Sequence, residues 1–155
     1  MDGRHRRKNF AHHEWYKGVS RTWQGFVSPV YTRTVAPHRN VFAVAVPVPK
    51  EDGGVAGILV LHVHLDSVFF ELTKQIESGP EGVVYIVDQT GQVAFHSKSP
   101  VRGEIADFSA IPVVRQVRQG KGGVHIAVDP VGKEESIFAF ASVAQYGWGV
   151  VTQQP

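Results

Sequence analysis

Two groups of side chains in this sequence have residue types and spacing that suit binding or catalysis. The first is His62-Val63-His64-Leu65-Asp66, in which two imidazoles and a carboxylate alternate with apolar residues. Residues two apart on a β-strand share a face, so on one strand the three polar side chains would point the same way. Two imidazoles and a carboxylate are a reasonable ligand set for zinc or iron. The alternative is a strand that walls a pocket and then leads into a helix cap.

The second group is aromatic. Trp15 and Tyr16 are adjacent, and Tyr31 follows them ahead of an apolar strand. Small-molecule pockets are mostly apolar and aromatic, with a few polar groups that orient the ligand, so this order suits a pocket wall. The same aromatics could instead cover a core, with their polar tips at the surface. Because no serine stands in a Gly-x-Ser-x-Gly context, and no other set of nucleophile, base and acid occurs, the sequence favours a binding module over an enzyme.

Composition and charge restrict the class of protein. The 155 residues are 43% apolar and 19% charged, which fits one globular domain or two small lobes. There is no cysteine, hence no disulfide and no thiolate metal site, and no cofactor is expected. The net charge is only +2, so no nucleic-acid partner is expected. No apolar run approaches the ~20 residues that span a bilayer, so any membrane anchor would lie outside this sequence. The basic residues near the start are interpreted as a solvated tail: Arg4, Arg6, Arg7 and Lys8.

The first half of the sequence predicts a hairpin followed by a helix. Residues 41–48 and 55–65 are β-rich apolar runs on either side of a turn at residues 51–54. A helix with Asp66 as its N-cap is predicted next, because apolar residues then recur at helical spacing, and it ends at the Gly-Pro signals of residues 78–82. Those apolar residues are Val68, Phe69, Leu72 and Ile76.

The second half predicts a five-stranded antiparallel sheet. A short helix after Pro112, ended by Gly120, interrupts the strands. Asp88 opens a type I turn and is expected to cap nearby backbone N–H groups. The predicted fold class is α+β, with PAS-like antiparallel sheets and flanking helices. The predicted strands cover residues 83–87, 92–96, 123–128, 136–143 and 147–152.

Several segments carry a resemblance to a known family. They are the aromatic segment from Asn9 to Tyr16, Ala45-Val46-Pro47-Val48, the run from Gly57 to Leu65, the hairpin from Val84 to Val93, and the ending Gly147-Trp148-Gly149-Val150-Val151. Together they resemble the extracytoplasmic double-Cache sensor domains of bacterial chemoreceptors, sensor histidine kinases and diguanylate cyclases. The resemblance extends from Asn9 to the end of the chain.

The resemblance implies an architecture and a function. Residues 79–155 would be a complete membrane-proximal lobe, and residues 1–78 a truncated distal lobe of the ligand-binding type. A transmembrane helix would follow Pro155, placing the domain in the periplasm or elsewhere outside the cytoplasm, on a membrane-anchored receptor. The domain would bind a small molecule, namely an amino acid, an amine or an organic acid, without chemistry. It would relay the signal to a cytoplasmic output domain.

The resemblance also implies a set of site residues. Amino-acid-binding members carry an arginine two residues before a Trp-Tyr pair, a tyrosine after it, and an aspartate on a later strand. Trp15, Tyr16 and Tyr31 match this pattern, whereas His13 and His62 replace the arginine and the aspartate. The implied roles are aromatic walls for Trp15 and Tyr16, a hydroxyl donor for Tyr31, and charge preference for the two histidines. An imidazole in place of an arginine would make the binding of an anion depend on pH.

Two other functions stay open at this point. One is a metal-dependent hydrolase or oxygenase that uses His62, His64 and Asp66. The other is a structural lobe without a ligand, which would form a homodimer through the open sheet edge that the missing strands leave.

Overall fold

The structure, a computed structural model, describes residues 9–74, 76, 81–129 and 133–155. The described residues form three helices and nine strands. The helices are α1 (Glu14–Thr22), α2 (Leu65–Thr73) and α3 (Pro112–Arg118). The strands are β1 (Phe26–Val27), β2 (Tyr31–Thr32), β3 (Asn40–Pro49), β4 (Val55–His64), β5 (Val83–Val87), β6 (Val93–His96), β7 (Gly123–Val128), β8 (Glu135–Val143) and β9 (Trp148–Gln154). Within the described ranges, no helix has the length and apolar character needed to cross a membrane.

The chain divides into two compact units. The first unit comprises Met1–Ser28 and Ala43–Leu61, and the second comprises Pro29–Phe42 and His62–Pro155. The predicted boundary between residues 78 and 79 falls outside the described residues, so the two predicted lobes stay a prediction.

The first unit is built on an amphipathic helix that the sequence interpretation described only as an aromatic segment. Trp15 and Val19, one turn apart on α1, are buried. Gly18 lies so close to β1 that a Cβ there would overlap the ring of Phe26. The helix ends at Trp23, which adopts a left-handed conformation with φ of 53°. α1 therefore packs its apolar face and its glycine against the rest of this unit.

In the same unit, β1 is tied to β3. Phe26 pairs with Ala45 in antiparallel register. Ser28, just after β1, is fully buried, and its hydroxyl accepts the N–H of Ala43 at 2.9 Å. The Ser28 N–H in turn donates to the Ala43 carbonyl at 2.9 Å. These bonds fix the chain where it leaves the first unit.

The second unit contains the predicted five-stranded antiparallel sheet, in the order β6-β5-β9-β8-β7. The α+β, PAS-like fold class is confirmed. Helix α3 begins at Pro112, one residue before the predicted start, and packs against β8 and β9. A buried apolar cluster fills the space between them, including Val113, Val117, Phe138 and Val151.

Asp88 is the buried polar centre of the second unit. Its carboxylate is fully buried and accepts the N–H groups of Thr90 at 2.7 Å and Gln92 at 3.1 Å, as well as the Thr90 hydroxyl at 2.7 Å. The Gly91 N–H donates to the Asp88 carbonyl at 3.0 Å, which closes the predicted turn. The capping role predicted for Asp88 is confirmed.

The predicted N-cap of α2 is wrong. β4 continues to His64, which occupies the N-cap position with extended backbone and without a side-chain cap hydrogen bond. Asp66 lies instead in the first turn of α2, where a carboxylate is favoured by the helix dipole. The prediction relied on the preference of aspartate for the N-cap position. The β-branched and apolar residues before His64 instead continue the strand to His64, so the helix begins at Leu65.

Candidate ligand-binding site

The candidate site in the first unit is an aromatic cleft of about 430 Å³. Helix α1 supplies Trp15 and Tyr16, and the start of β4 supplies the opposite segment. The full lining is Phe10, Trp15, Tyr16, Trp23, Val55, Ala56, Gly57 and Ile58. The volume lies within the range of small-molecule pockets, roughly 300–1,000 Å³.

The aromatic rings of the cleft are arranged around Trp15. Phe10 lies 5.9 Å from it between ring centroids, and Tyr16 meets it edge to face at 6.1 Å. Only 8% of Trp15 is exposed, whereas Phe10 and Trp23 are each 46% exposed. Trp15 thus anchors the wall, while its neighbours offer most of the surface that a ligand would contact.

No lining residue of this cleft carries a formal charge. The polar side-chain groups of the lining residues are the Tyr16 hydroxyl and the indole N–H groups of the two tryptophans. Such a surface provides area, ring faces and a few hydrogen-bond donors, but no fixed partner for a carboxylate or an ammonium.

His13 lies beside the cleft residues without lining the cleft. It occupies the N-cap position of α1, makes no side-chain cap hydrogen bond, and stacks on Trp15 with ring centroids 5.6 Å apart. Its ring is also 4.3 Å from that of His12. Desolvation, with a contribution from His12, lowers the pKa of His13 below 6.5. The imidazole is therefore mostly neutral at pH 7 and becomes a cation only in more acidic solution.

Tyr31 and His62 lie in the second unit and contact each other. Their ring centroids are 6.2 Å apart in an edge-to-face arrangement. Tyr31 is held by antiparallel pairing with Val41 of β3. Its hydroxyl is buried and has no hydrogen-bond partner among the described residues. Burial raises the pKa of Tyr31, partly offset by Arg33, so the hydroxyl remains a neutral donor.

The metal-site interpretation of His62, His64 and Asp66 is not supported. Among the described residues, no three His, Cys, Asp or Glu side chains are grouped so that they could hold a metal ion. The alternation that would align them ends with β4 at His64, so Asp66 lies on a helix and pairs with Arg102 at 3.1 Å.

The sequence interpretation missed the residue that positions Tyr31. Asp88 accepts the backbone N–H of Val30 at 2.7 Å, in addition to capping its own turn. Val30 is buried with Leu65 and Ala94 in a small apolar cluster. The residue next to Tyr31 is thereby fixed by both a carboxylate and a core contact. No local pattern around Asp88 could have revealed a partner 58 positions away.

Comparison with known proteins places the chain in a family. A model of the Cache domain family matches residues 2–155. The chain belongs to the Cache domain family. A comparison with curated proteins returned no match.

Solved structures agree on the fold of this Cache domain chain. The periplasmic sensory domain of the Campylobacter jejuni chemoreceptor Tlp1 superposes with a TM-score of 0.71 at 13% identity, over 94% of this chain and 55% of that one. The ligand-binding domain of the Pseudomonas aeruginosa PAO1 amino acid chemoreceptor PctB, in complex with L-Gln, gives 0.67 at 18% identity, over 96% and 58%. The extracellular domain of the histidine kinase rpHK1S-Z16 gives 0.68 at 16% identity, over 90% and 56%. The chain thus spans little more than half the length of these structures.

The five predicted site residues fall in two places on this Cache domain chain. Trp15 and Tyr16 line the cleft of the first unit, and His13 stacks on Trp15. Tyr31 and His62 are in contact in the second unit. The roles assigned to all five stay predictions.

Proposed function

We propose that this chain is the ligand-binding region of an extracytoplasmic sensor, which binds a small polar or anionic metabolite in the aromatic cleft and does no chemistry. The receptor would be membrane-anchored through segments outside this sequence, would act as a homodimer, and would relay binding to a cytoplasmic output domain. The observation that carries the proposal is the cleft itself, where Trp15 and Tyr16 form a wall in a chain that belongs to the Cache domain family.

The ligand class is supported by two similar proteins. PctB was solved with L-Gln, and Mlp24 with asparagine. In this chain the cleft has no arginine or carboxylate among its lining residues. The proposed ligands therefore extend beyond amino acids to amines, whose cations interact favourably with aromatic faces, and to organic acids that use the neighbouring imidazoles.

Tyr31 is a candidate ligand contact within the second unit. A buried hydroxyl without a partner costs about 1–3 kcal/mol, so such groups usually have a partner in the functional state. For a ligand bound in the second unit, we assign Tyr31 as a hydrogen-bond donor and His62, its ring neighbour, as the group that sets charge preference. His13 would contribute a positive charge only below its lowered pKa.

The proposal is tested by a thermal-shift screen with amino acids, amines and organic acids at pH 6 and pH 8. A ligand at a hundred times its dissociation constant stabilises a protein by about 2.7 kcal/mol, which raises the Tm by several degrees. We expect Tyr16→Ala to abolish this shift, since Tyr16 is half-buried and its removal opens the cleft wall. Trp15→Ala should have the same effect on binding, with a larger loss of basal stability because Trp15 is buried.

Tyr146→Ala is the matched control. Tyr146 is 42% exposed in the turn between β8 and β9, and its removal should leave the ligand-induced shift unchanged. An undiminished shift in Tyr16→Ala, or the absence of any metabolite-induced shift across the screen, would contradict the proposal.

A further inference from the structure

The second unit contains a separate cavity that the proposed sensor function does not use. Its volume is about 280 Å³. The lining combines apolar walls with one arginine, one glutamate, one histidine and one serine. The lining residues are Val93, His96, Ser99, Pro100, Val101, Arg102, Glu104, Ala106 and Phe108.

His96 is held in one orientation and one tautomer. Its Nδ1 accepts the backbone N–H of Lys98 at 3.3 Å, so in the neutral ring the proton is on Nε2. The ring stacks on Tyr85 with centroids 6.3 Å apart, and Phe108 meets it edge to face at 6.4 Å. Burial lowers the pKa of His96, which favours this neutral form. The side chain therefore presents a single N–H donor on a fixed ring.

Arg102 supplies the positive charge. Its Nε donates to Asp66 Oδ1 at 3.1 Å, and its two terminal nitrogens have no other hydrogen bond with the described residues. This contact leaves the forked end of the guanidinium available, which is the geometry that binds a carboxylate through two parallel hydrogen bonds.

A buried asparagine forms hydrogen bonds with the backbone of the loop that carries Arg102. Asn40, 7% exposed, donates from its amide nitrogen to the carbonyls of Val101 at 3.2 Å and Gly103 at 3.0 Å. Its amide oxygen accepts the hydroxyl of Thr32 at 2.8 Å. The loop backbone on both sides of Arg102 is thus held in place before any ligand arrives, which reduces the entropy lost on binding.

We propose that this cavity binds a short aliphatic monocarboxylate. The Arg102 fork would bind the carboxylate, the His96 Nε2–H and the Ser99 hydroxyl would donate to it, and Val93 and Phe108 would cover the aliphatic tail. Glu104 repels negative charge, so it opposes a dicarboxylate, with two charges, more than a monocarboxylate of similar size. The site lies in a different unit from the aromatic cleft and does not depend on the sensor proposal.

Propionate is the probe, titrated into the 155-residue chain by calorimetry and by amide chemical-shift mapping. We expect saturable binding with a dissociation constant of about 1 mM, as suits a ligand of few heavy atoms. The largest shifts should fall between residues 93 and 108. Arg102→Gln should weaken binding at least about tenfold, as expected when one charge-assisted bidentate contact is removed.

Three comparisons separate a binding role from a structural one. Asp66→Asn removes the partner of Arg102 but keeps the guanidinium, so its affinity for propionate should stay within about threefold of the parent. Succinate should bind more weakly than propionate, and Glu104→Gln should reduce that difference. Tyr146→Ala, at an exposed residue that lines neither the cleft nor this cavity, should bind propionate normally.

Three results would overturn the assignment. The first is the absence of saturable propionate binding at concentrations far above the expected dissociation constant. The second is unchanged affinity in a folded Arg102→Gln chain, and the third is chemical-shift changes confined to the first unit.

Discussion

The aromatic cleft of the first unit and the cavity of the second unit, both on this Cache domain chain, differ in the side chains that they present to a ligand. The cleft of the first unit is lined by four aromatic residues and four aliphatic or small ones, with no charge. The smaller cavity of the second unit combines Arg102 and Glu104 with a histidine in a fixed tautomer. An uncharged aromatic surface discriminates between ligands by contact area and shape. A lining with charged side chains discriminates between ligands by their charge. The two proposed sites would therefore discriminate between ligands by different physical means.

The largest expected effect comes from removing the carboxylate that organises the second unit. Asp88→Ala leaves the N–H groups of Val30, Thr90 and Gln92 without their acceptor, so we expect the free energy of unfolding to fall by about 3–5 kcal/mol. Chemical denaturation measures this loss. Asp107→Ala, at an exposed aspartate, should cost far less. Equal losses in the two variants would mean that the second unit does not depend on its buried carboxylate.

A smaller effect distinguishes the packing of the two units through their glycines. A Cβ on Gly149 would overlap Val117, which is fully buried, so Gly149→Ala should destabilise the chain by about 2 kcal/mol. Gly57 lines the aromatic cleft, and an added Cβ there would meet nothing within 4 Å. Gly57→Ala should therefore change stability by less than about 0.5 kcal/mol. Thermal unfolding of both variants would contradict this contrast if their Tm values coincided.

The smallest predicted effect is a pH dependence that sharpens the assignment of His96. Burial lowers its pKa below the ordinary value of 6.5, so below pH 6.5 the unfolded chain binds the proton more readily than the folded chain. Stability is therefore fully present above pH 6.5 and falls as the pH drops through 6.5 toward the folded pKa. His96→Gln should remove only part of this decline in stability. The pKa of His13 is also lowered, so His13 contributes to the same decline. Denaturation midpoints of the parent chain and of His96→Gln, compared between pH 5.5 and 7.5, measure this difference, and equal declines in the two would contradict the assignment.

The fold of the second unit could be predicted from sequence because its signals are local. β5 and β7 have the predicted bounds, and the Asp88 turn closes as its residue types indicate. Helix α1 was missed because His13 is not a usual N-cap residue and Gly18 interrupts the helical pattern. The contact of Gly18 with Phe26 compensates for that glycine, and such a contact is visible only in three dimensions.

The candidate site was only partly predictable. Residue type alone indicated that Trp15 and Tyr16 could wall a pocket, and both line the cleft. Residue type could not reveal that the Tyr31 hydroxyl lacks a partner, since that depends on what the fold brings near it. For the same reason, no sequence pattern indicates that Arg102 and His96 line one cavity.

The hydrogen bond from Val30 to Asp88 also has a consequence for how the chain folds. It joins positions 58 apart, and the segment Ala43–Leu61 between them belongs to the other unit. Contacts between positions distant in the chain form late, because the loop between them must close first. During synthesis from the N-terminus, every residue of the first unit emerges before Asp88 does. The wall formed by Trp15 and Tyr16 can therefore assemble before Val30, the neighbour of Tyr31, forms its hydrogen bond to Asp88.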